Sequence, residues 1–401
     1  MMNRFAHFGG GKCCLRAAMM NSTRFSSTVA ATTAPHVNKA SSIPHQQQQA
    51  DVPSFSSITE LYHNIDCLMN ESETTILNGN FPLALKRLNR VKELTQLKAP
   101  SPNSQTVVSL DPAVVGPVDY LRALCFLRMK DPFHARQALL EELRFNHGND
   151  DARDLLHRVN SSLKASFELP ESVVSSEPLF ATLYDSLKDH SMLNWPRLFG
   201  LYIHGKQVCE DNIPGDFIEC GVAGGGSTVL LATVIKNYSK VPRRIIACDT
   251  FEGMPVPDVG GRDTIESGKG GTAADSNWGT GTCAGSLVAV RNLADHFAVD
   301  VTFVPGVFQD TLPTLISQGT KDGGVGKVAM AHLDCDWYES TASCLHNVFP
   351  ILSKGAIMQI DDYNYWDGCQ QAVKEHFAAN GLVPEVELNK VDHNAVWMRK
   401  R

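Results

Sequence analysis

The stretch that most constrains the fold covers residues 215–250, where two apolar segments flank a glycine-rich turn. Residues 216–222, with the sequence DFIECGV, predict a buried strand, and the turn AGGGST leads into an apolar helix over residues 229–237. A second buried strand over residues 244–248 ends directly before Asp249. This order of elements predicts the first half of a nucleotide-binding α/β unit, in which glycines let backbone N–H groups approach a ligand.

The residues of this unit indicate which kind of ligand it binds. The glycines between Gly221 and Gly226 do not have the G-x-G-x-x-G spacing of dinucleotide-binding proteins, and Glu219 is unfavourable beside a pyrophosphate. Asp249, at the tip of the second strand, can accept hydrogen bonds from a ribose diol. The two acids favour a cationic, phosphate-free cofactor with a ribose, and S-adenosylmethionine is the candidate. A purely structural glycine turn in another α/β protein is the alternative.

Composition excludes several classes of protein. The chain has 401 residues, which is enough for two domains, and its 43% hydrophobic content supports a real core. A net charge of −7 argues against a nucleic-acid-binding protein, and no apolar run is long enough to span a membrane. The 11 cysteines include no C-x-x-C pair, which favours buried thiols in a reducing compartment over disulfides or a zinc site.

Residues 1–50 differ in composition from the rest of the chain. They contain no Asp or Glu, five Lys or Arg, and many Ser, Thr and Ala. This composition is typical of a mitochondrial transit peptide, and a merely disordered tail is the alternative. We therefore expect a mitochondrial matrix protein if residues 1–50 are a transit peptide, and a cytoplasmic protein otherwise.

Residues 51–165 predict a small all-α domain. Apolar residues recur at three- and four-residue spacing, and small residues such as Ala84, Ala123, Ala135 and Ala138 suit the contacts between paired helices. The pattern resembles degenerate tetratricopeptide repeats, and a helical bundle without repeat ancestry is the alternative. Because the domain offers no catalytic constellation, we interpret it as a scaffold that binds a protein partner.

Residues 175–401 predict a second domain of the α/β class. Helices and strands alternate after Asp249, and the chain ends in a hairpin predicted from residues 385–389 and 395–400. We expect a mostly parallel seven-stranded sheet with a terminal antiparallel hairpin, covered by helices on both faces. The long irregular segment over residues 250–285 is rich in glycine and predicts a lid or binding loop.

Acids recur where the later strands of this sheet end. Asp334 and Asp336 follow the fourth strand, and Asp361 and Asp362 follow the fifth. If these strands are neighbours, Asp334, Asp361 and Asp362 converge, and crowded carboxylates favour a hard cation such as Mg²⁺ or Mn²⁺. Helix capping or turn formation is the alternative role for a single Asp at such a place.

Five motifs occur in chain order in the second domain: GDFIECGV (215–222), CDTFEGMP (248–255), GVFQDTLP (306–313), LDCDWYEST (333–341) and IDDY (360–363). Together they resemble the motifs of the macrocin O-methyltransferase (TylF) family of class I S-adenosylmethionine-dependent methyltransferases. The resemblance covers residues 180–401 and implies a Rossmann-like fold and a metal-dependent methyl transfer to a hydroxyl. One departure is Ala223-Gly224, where the family usually has bulky or basic residues.

The resemblance and the residues assign the same roles. Eight residues would contact the methionine end, the ribose or the adenine of S-adenosylmethionine. They are Glu219, Gly221, Gly225, Gly226, Ser227, Thr228, Asp249 and Phe308. The metal-binding and catalytic residues would be Asp334, Asp361 and Asp362, with Asp336 as a substitute ligand. His332 is expected to be a buried structural histidine, and Tyr363, Trp366 and Trp337 are candidates for the acceptor pocket.

These observations predict an O-methyltransferase that uses S-adenosylmethionine and a divalent metal. The acceptor would be a hydroxyl, one of a vicinal diol or catechol pair, in a small molecule or glycoside. A homo-oligomer is compatible with this reading, and nucleic-acid or membrane-spanning partners are not expected. The alternatives are a non-catalytic adaptor with a remnant methyltransferase fold and a metal-free enzyme that acts on nitrogen or carbon.

Overall fold

The fold was analysed in a computed structural model. It describes residues 58–95, 99–100, 107–108, 115–258, 261–265, 272–273, 278–320 and 323–401. The transit peptide predicted over residues 1–50 lies outside the described residues and stays a prediction.

The second half of the chain forms a seven-stranded sheet. Its strand order is β3-β2-β1-β4-β5-β7-β6, and all neighbouring pairs are parallel except those that involve β7. The strands are β1 (Asp216–Cys220), β2 (Ile245–Asp249), β3 (Thr302–Pro305), β4 (Val328–Leu333), β5 (Leu352–Ile360), β6 (Asn389–Lys390) and β7 (Val396–Arg399). The predicted class, a mostly parallel seven-stranded sheet with a terminal antiparallel hairpin, is confirmed.

Helices precede and connect these strands. The helices are α1 (Ile58–Leu77), α2 (Phe81–Thr95), α3 (Val118–Arg128), α4 (Pro132–Phe145), α5 (Asp150–Ser162), α6 (Glu171–Ser176), α7 (Pro178–Leu187), α8 (Trp195–Glu210), α9 (Gly226–Tyr238), α10 (Leu287–His296), α11 (Phe308–Gln318), α12 (Tyr338–Val348), α13 (Asp367–Ala379) and α14 (Pro384–Glu387). Short strands Ala99–Pro100 and Val107–Val108 pair with each other outside the main sheet.

The prediction that residues 385–389 form the first strand of the terminal hairpin was wrong. Residues Pro384–Glu387 form the short helix α14, and pairing starts only at Asn389. A proline at the first helical position has its φ angle already fixed for a helix and loses no hydrogen bond there. This local preference outweighs the weak alternation of the sequence.

The helical half has its own core. Helices α1 to α5 pack in sequence, α1 with α2 and α4 with α3 and α5, around buried residues such as Leu61, Leu88 and Phe126. A buried ion cluster joins three of these helices. Lys92 contacts Asp119 and Glu141, and Arg122 contacts Asp119. The paired helices agree with the all-α expectation, and a tetratricopeptide origin stays a prediction.

Two further expectations concern the whole chain. Among the helices of the described residues, none is long and apolar enough to span a bilayer. The described cysteines are all free thiols, and most of them are buried. Both observations agree with the sequence.

The carboxyl ends of β1 and β4 approach closely at Gly221. Gly221 has a φ angle of 98°, and a β-carbon there would lie 1.9 Å from the backbone oxygen of Asp334. On the same pair of strands, Asp334 N donates to Cys220 O at 2.8 Å. Only glycine allows this left-handed turn and this backbone contact together.

We therefore expect Gly221→Ala to destabilise the fold by about 3 kcal/mol or more, because a backbone clash and a positive φ angle cannot be relieved by a side-chain rotation. Urea unfolding of both proteins measures the difference. Gly148→Ala is the matched control, since a β-carbon there meets nothing within 4 Å. Equal stability of Gly221→Ala and the parent would contradict the close approach.

Candidate active site

A cavity of about 340 Å³ lies at the carboxyl ends of β1, β2 and β4. Parallel sheets bind their ligands at this edge. The predicted site residues that line the cavity are Gly221, Ser227, Asp249, Phe308, Asp334 and Asp362. The predicted residues that do not line it are Glu219, Gly225, Gly226, Thr228 and Asp361.

Asp249 faces the cavity and also holds the glycine turn. Its Oδ2 accepts hydrogen bonds from Val222 N at 2.7 Å and Ala223 N at 3.2 Å, and its Oδ1 accepts from Phe251 N at 2.6 Å. Burial raises the pKa of Asp249, and the backbone donors act in the opposite direction. A carboxylate oxygen has room for a further donor, so Asp249 can still accept from a ribose hydroxyl.

Glu219 does not occupy the position expected of it. Its side chain is fully buried, one oxygen accepts from the Thr228 hydroxyl, and the other lies 2.8 Å from His332 Nδ1. Both carboxylate oxygens of Glu219 are therefore engaged by protein side chains inside the domain. Glu219 and Thr228 support the site from inside the sheet and do not contact the cavity.

The glycines of the turn serve packing. A β-carbon at Gly225 would lie 2.5 Å from Val290, and one at Gly226 would lie 2.9 Å from the backbone of His190. Their small size lets the turn fit against α10 and the segment after α7. Neither Gly225 nor Gly226 lines the cavity, and their role as cofactor residues stays a prediction.

Three carboxylates meet in the cavity. Oxygens of Asp334, Asp336 and Asp362 lie within 4.8 Å of one another. Burial and the neighbouring carboxylates raise the pKa of Asp334 and Asp336 well above the ordinary value, and the same causes raise that of Asp362 to about 6. Asp362 Oδ2 is buried and finds no hydrogen-bond partner within the described part of the chain. When its three carboxyl groups are ionised, the cluster therefore carries more negative charge than its own surroundings compensate.

Asp361 differs from these three acids. It is fully buried, its Oδ1 accepts from Gln359 at 3.0 Å and lies 3.2 Å from His332 Nε2, and its Oδ2 pairs with Arg197 at 3.0 Å. Burial alone would raise the pKa of Asp361, but the hydrogen bond from His332 and the charge of Arg197 lower it to about 2. A ring nitrogen of His332 and carboxylate oxygens of Asp334 and Asp361 could form a second ligand group only if these pairs were given up.

The sequence analysis did not predict several residues that line the cavity. Trp337 and Trp366 are core residues, each about 1% exposed, and Tyr365 lines the cavity where they were expected. Arg197 gave no signal because an arginine on a helix is usually a surface residue. Residues of α4 line the cavity as well, namely Phe133, His134 and Gln137. The helical domain, which the sequence analysis interpreted as a scaffold, thus contributes one wall of the cavity. No local sequence pattern predicted this contribution.

The segment predicted as a lid is partly anchored. Asp263 is 1% exposed and accepts from Asp258 N at 2.7 Å and Tyr338 N at 2.8 Å. Thr264 pairs with Thr272, and Ile265 pairs with Trp366 as isolated bridges. The described part of the segment is therefore fixed on α12 and α13.

Replacing Asp361 with Asn should destabilise the fold, because Arg197 and His332 would lose a buried anion. We expect a loss of about 3 kcal/mol in the free energy of unfolding. Chemical unfolding measures it, with the exposed Asp295→Asn as the matched control. An unchanged stability would show that the pairs of Asp361 do not hold the site.

Comparisons with known proteins identify the chain's relatives. The family model for macrocin-O-methyltransferase (TylF) matches residues 182–400. A tetracenomycin-type 4'-O-methyltransferase of Streptomyces olivaceus is 30% identical over 271 residues, which cover 62% of this chain and 94% of that protein. Demethyldecarbamoylnovobiocin O-methyltransferase of Streptomyces niveus is 31% identical, with 53% of this chain and 76% of that protein covered.

One solved structure is also similar to part of the chain. The O-methyltransferase NovP is 29% identical over 53% of this chain and 82% of that chain, with a TM-score of 0.44. The family match covers more than half of the chain, and the curated relatives carry the same activity in their names. The chain belongs to the macrocin O-methyltransferase (TylF) family and is an S-adenosylmethionine-dependent O-methyltransferase.

Proposed function

We propose that the chain methylates one hydroxyl of a vicinal diol or catechol in a small molecule or glycoside, with Mg²⁺ or Mn²⁺ bound by Asp334, Asp336 and Asp362. The observation that carries this proposal is the cavity cluster of three carboxylates with an unpartnered Asp362 oxygen. Oxygen-only ligands suit a hard divalent cation. Since Asp361 is engaged by Arg197 and His332, Asp336 replaces it in the predicted ligand set.

The acceptor class is supported by the relatives. The Streptomyces olivaceus protein is named for a 4'-O-methylation of a rhamnosyl tetracenomycin, and a Micromonospora griseorubida relative is named mycinamicin III 3''-O-methyltransferase. Two adjacent hydroxyls can both contact one cation, which fixes the orientation of the acceptor. A sugar or phenolic diol therefore fits the cluster.

The chain's own residues position the two substrates. Asp249 would accept hydrogen bonds from the ribose hydroxyls, Phe308 would pack near the adenine, and Gly221 and Ser227 would line the methionine end. A divalent cation at the cluster would polarise the acceptor hydroxyl and lower its pKa. The acceptor hydroxyl would lose its proton to solvent, and an oxygen lone pair would form the bond to the methyl carbon while the carbon–sulfur bond breaks and its electrons stay on sulfur. Alignment of oxygen, carbon and sulfur is the main contribution of the protein.

The metal site is tested without turnover. Asp334→Asn, Asp336→Asn and Asp362→Asn should each weaken Mn²⁺ binding at least about tenfold, because each removes a charged ligand. Electron paramagnetic resonance of free Mn²⁺ measures the affinity. Asp295→Asn is the control, because it removes the same single negative charge at an exposed position outside the cluster. If a folded Asp361→Asn protein loses Mn²⁺ and Asp336→Asn keeps it, the ligand set is Asp334, Asp361 and Asp362 instead.

The cofactor site is tested by calorimetry. Asp249→Asn should weaken S-adenosylmethionine binding about 10- to 100-fold, because charge-assisted hydrogen bonds to the ribose are lost. Circular dichroism checks that the glycine turn still folds, and Asp295→Asn is again the control. Equal affinities of Asp249→Asn and the parent would contradict the ribose contact. Cofactor binding that never leads to methyl transfer onto any diol would favour the adaptor alternative.

A further inference from the structure

Helix α4 of the helical domain is fixed against the catalytic domain. Glu141 Oε1 accepts from Cys283 N at 2.7 Å, Arg144 Nη1 donates to Ala284 O at 3.0 Å, and Arg136 donates to Lys188 O at 2.9 Å. These contacts involve buried or half-buried groups along the helix. The wall that α4 gives to the cavity is therefore a built part of the site.

His134 is the polar group of this wall. Its Nδ1 lies 2.5 Å from Asp131, the residue that also caps the start of α4. Its ring lies between two aromatic rings, with centroids 5.2 Å away at Phe126 and 4.6 Å away at Trp278. Its Nε2 is buried, and the described residues provide no hydrogen-bond partner for it.

The proton arrangement on His134 follows from these contacts. The Asp131 carboxylate can only accept, so Nδ1 carries the hydrogen and Nε2 holds a free lone pair in the neutral ring. Burial lowers the pKa of His134, although Asp131 acts in the opposite direction. At neutral pH the ring is uncharged, its Nε2 is a hydrogen-bond acceptor, and His134 is one of the residues that line the cavity. An unmade hydrogen bond on a buried atom is unfavourable, which suits an atom whose partner is a ligand.

We propose that His134 is an acceptor-recognition residue, and that its Nε2 accepts a hydrogen bond from an acceptor hydroxyl remote from the one that is methylated. The proposal rests on the proposed function, because it takes the metal-bound diol as the near end of the acceptor. Phe133, Trp278 and Leu193 give the surrounding wall an apolar character. The acceptor class is then an extended molecule with a diol at one end, a flat or apolar body, and a second hydroxyl at the far end.

The cofactor is a less suitable partner for His134. The cofactor contacts inferred from the sequence lie at the ends of β1 and β2 and on α9 and α11, and none of them is on α4. The helical wall is therefore left for the acceptor. Because α4 belongs to the helical domain, that domain selects the acceptor as part of the active site.

Two probes with a shared diol test the inference. Catechol contains only the diol, and quercetin carries the same diol on a longer planar body with remote hydroxyls. Calorimetry measures the affinity of each for the full chain saturated with S-adenosylhomocysteine and Mg²⁺. His134→Phe keeps an aromatic ring without the acceptor atom, and His134→Gln restores an acceptor.

The expected result is that His134→Phe weakens quercetin binding about tenfold and changes catechol binding less than twofold. His134→Gln should bind quercetin at least about three times more tightly than His134→Phe. Asp362→Asn should weaken both probes, which shows that they bind through the metal end.

Three results would overturn the inference while catechol still binds. They are quercetin binding no tighter than catechol, quercetin binding unchanged in His134→Phe, and a fall in S-adenosylhomocysteine affinity in that variant. Absence of metal-dependent catechol binding in the parent chain would overturn the proposed function itself. The two failures are thus distinguishable.

Discussion

The site depends on a chain of buried charges that crosses three strands. Glu219 on β1 contacts His332 on β4, His332 contacts Asp361 after β5, and Asp361 pairs with Arg197 on α8. The two carboxylates hold the pKa of His332 well above its usual value, so the imidazole is a cation between two anions despite its burial. With Arg197 the chain contains two positive and two negative charges, and this balance makes its burial tolerable. Since one partner cannot be removed without leaving an uncompensated charge, the strand ends keep a fixed relation to one another.

This fixed frame decides which acids remain for chemistry. Asp361 is used inside the frame, and the adjacent Asp362 lines the cavity. Asp334 follows His332 by two residues and lies against the glycine turn at Gly221. Positive groups of the frame thus balance the negative charges of Glu219 and Asp361. The carboxylates of the cavity have no such partners, and an unbalanced group of carboxylates is the condition under which a cation binds strongly.

The sequence was sufficient for the fold class and for part of the cavity. Alternating elements predicted the sheet, because apolar strands that are buried on both faces have a strong local signal. The predictions for Gly221, Asp249 and Asp334 placed them at the cavity, because each lies at or directly after the carboxyl end of a strand, and Ser227 lies there at the start of the helix that follows the glycine turn. The sequence favoured Asp361 over Asp336 as a ligand, and the observation against that choice is the pairing of Asp361 with Arg197, which lies far away in the chain. Long-range partners of this kind leave no pattern in a single sequence.

The helical domain also explains the small residue at Gly224, one of the two positions of the departure. A β-carbon at Gly224 would lie 2.5 Å from Arg144 Nη2. The space beside the glycine turn is therefore filled by an arginine from α4, whose burial lowers its pKa. A larger residue at position 224 would displace that arginine, and with it the contact to Ala284 that fixes α4. The small residues of the turn and the helical wall of the cavity require each other, so the two domains form one active site.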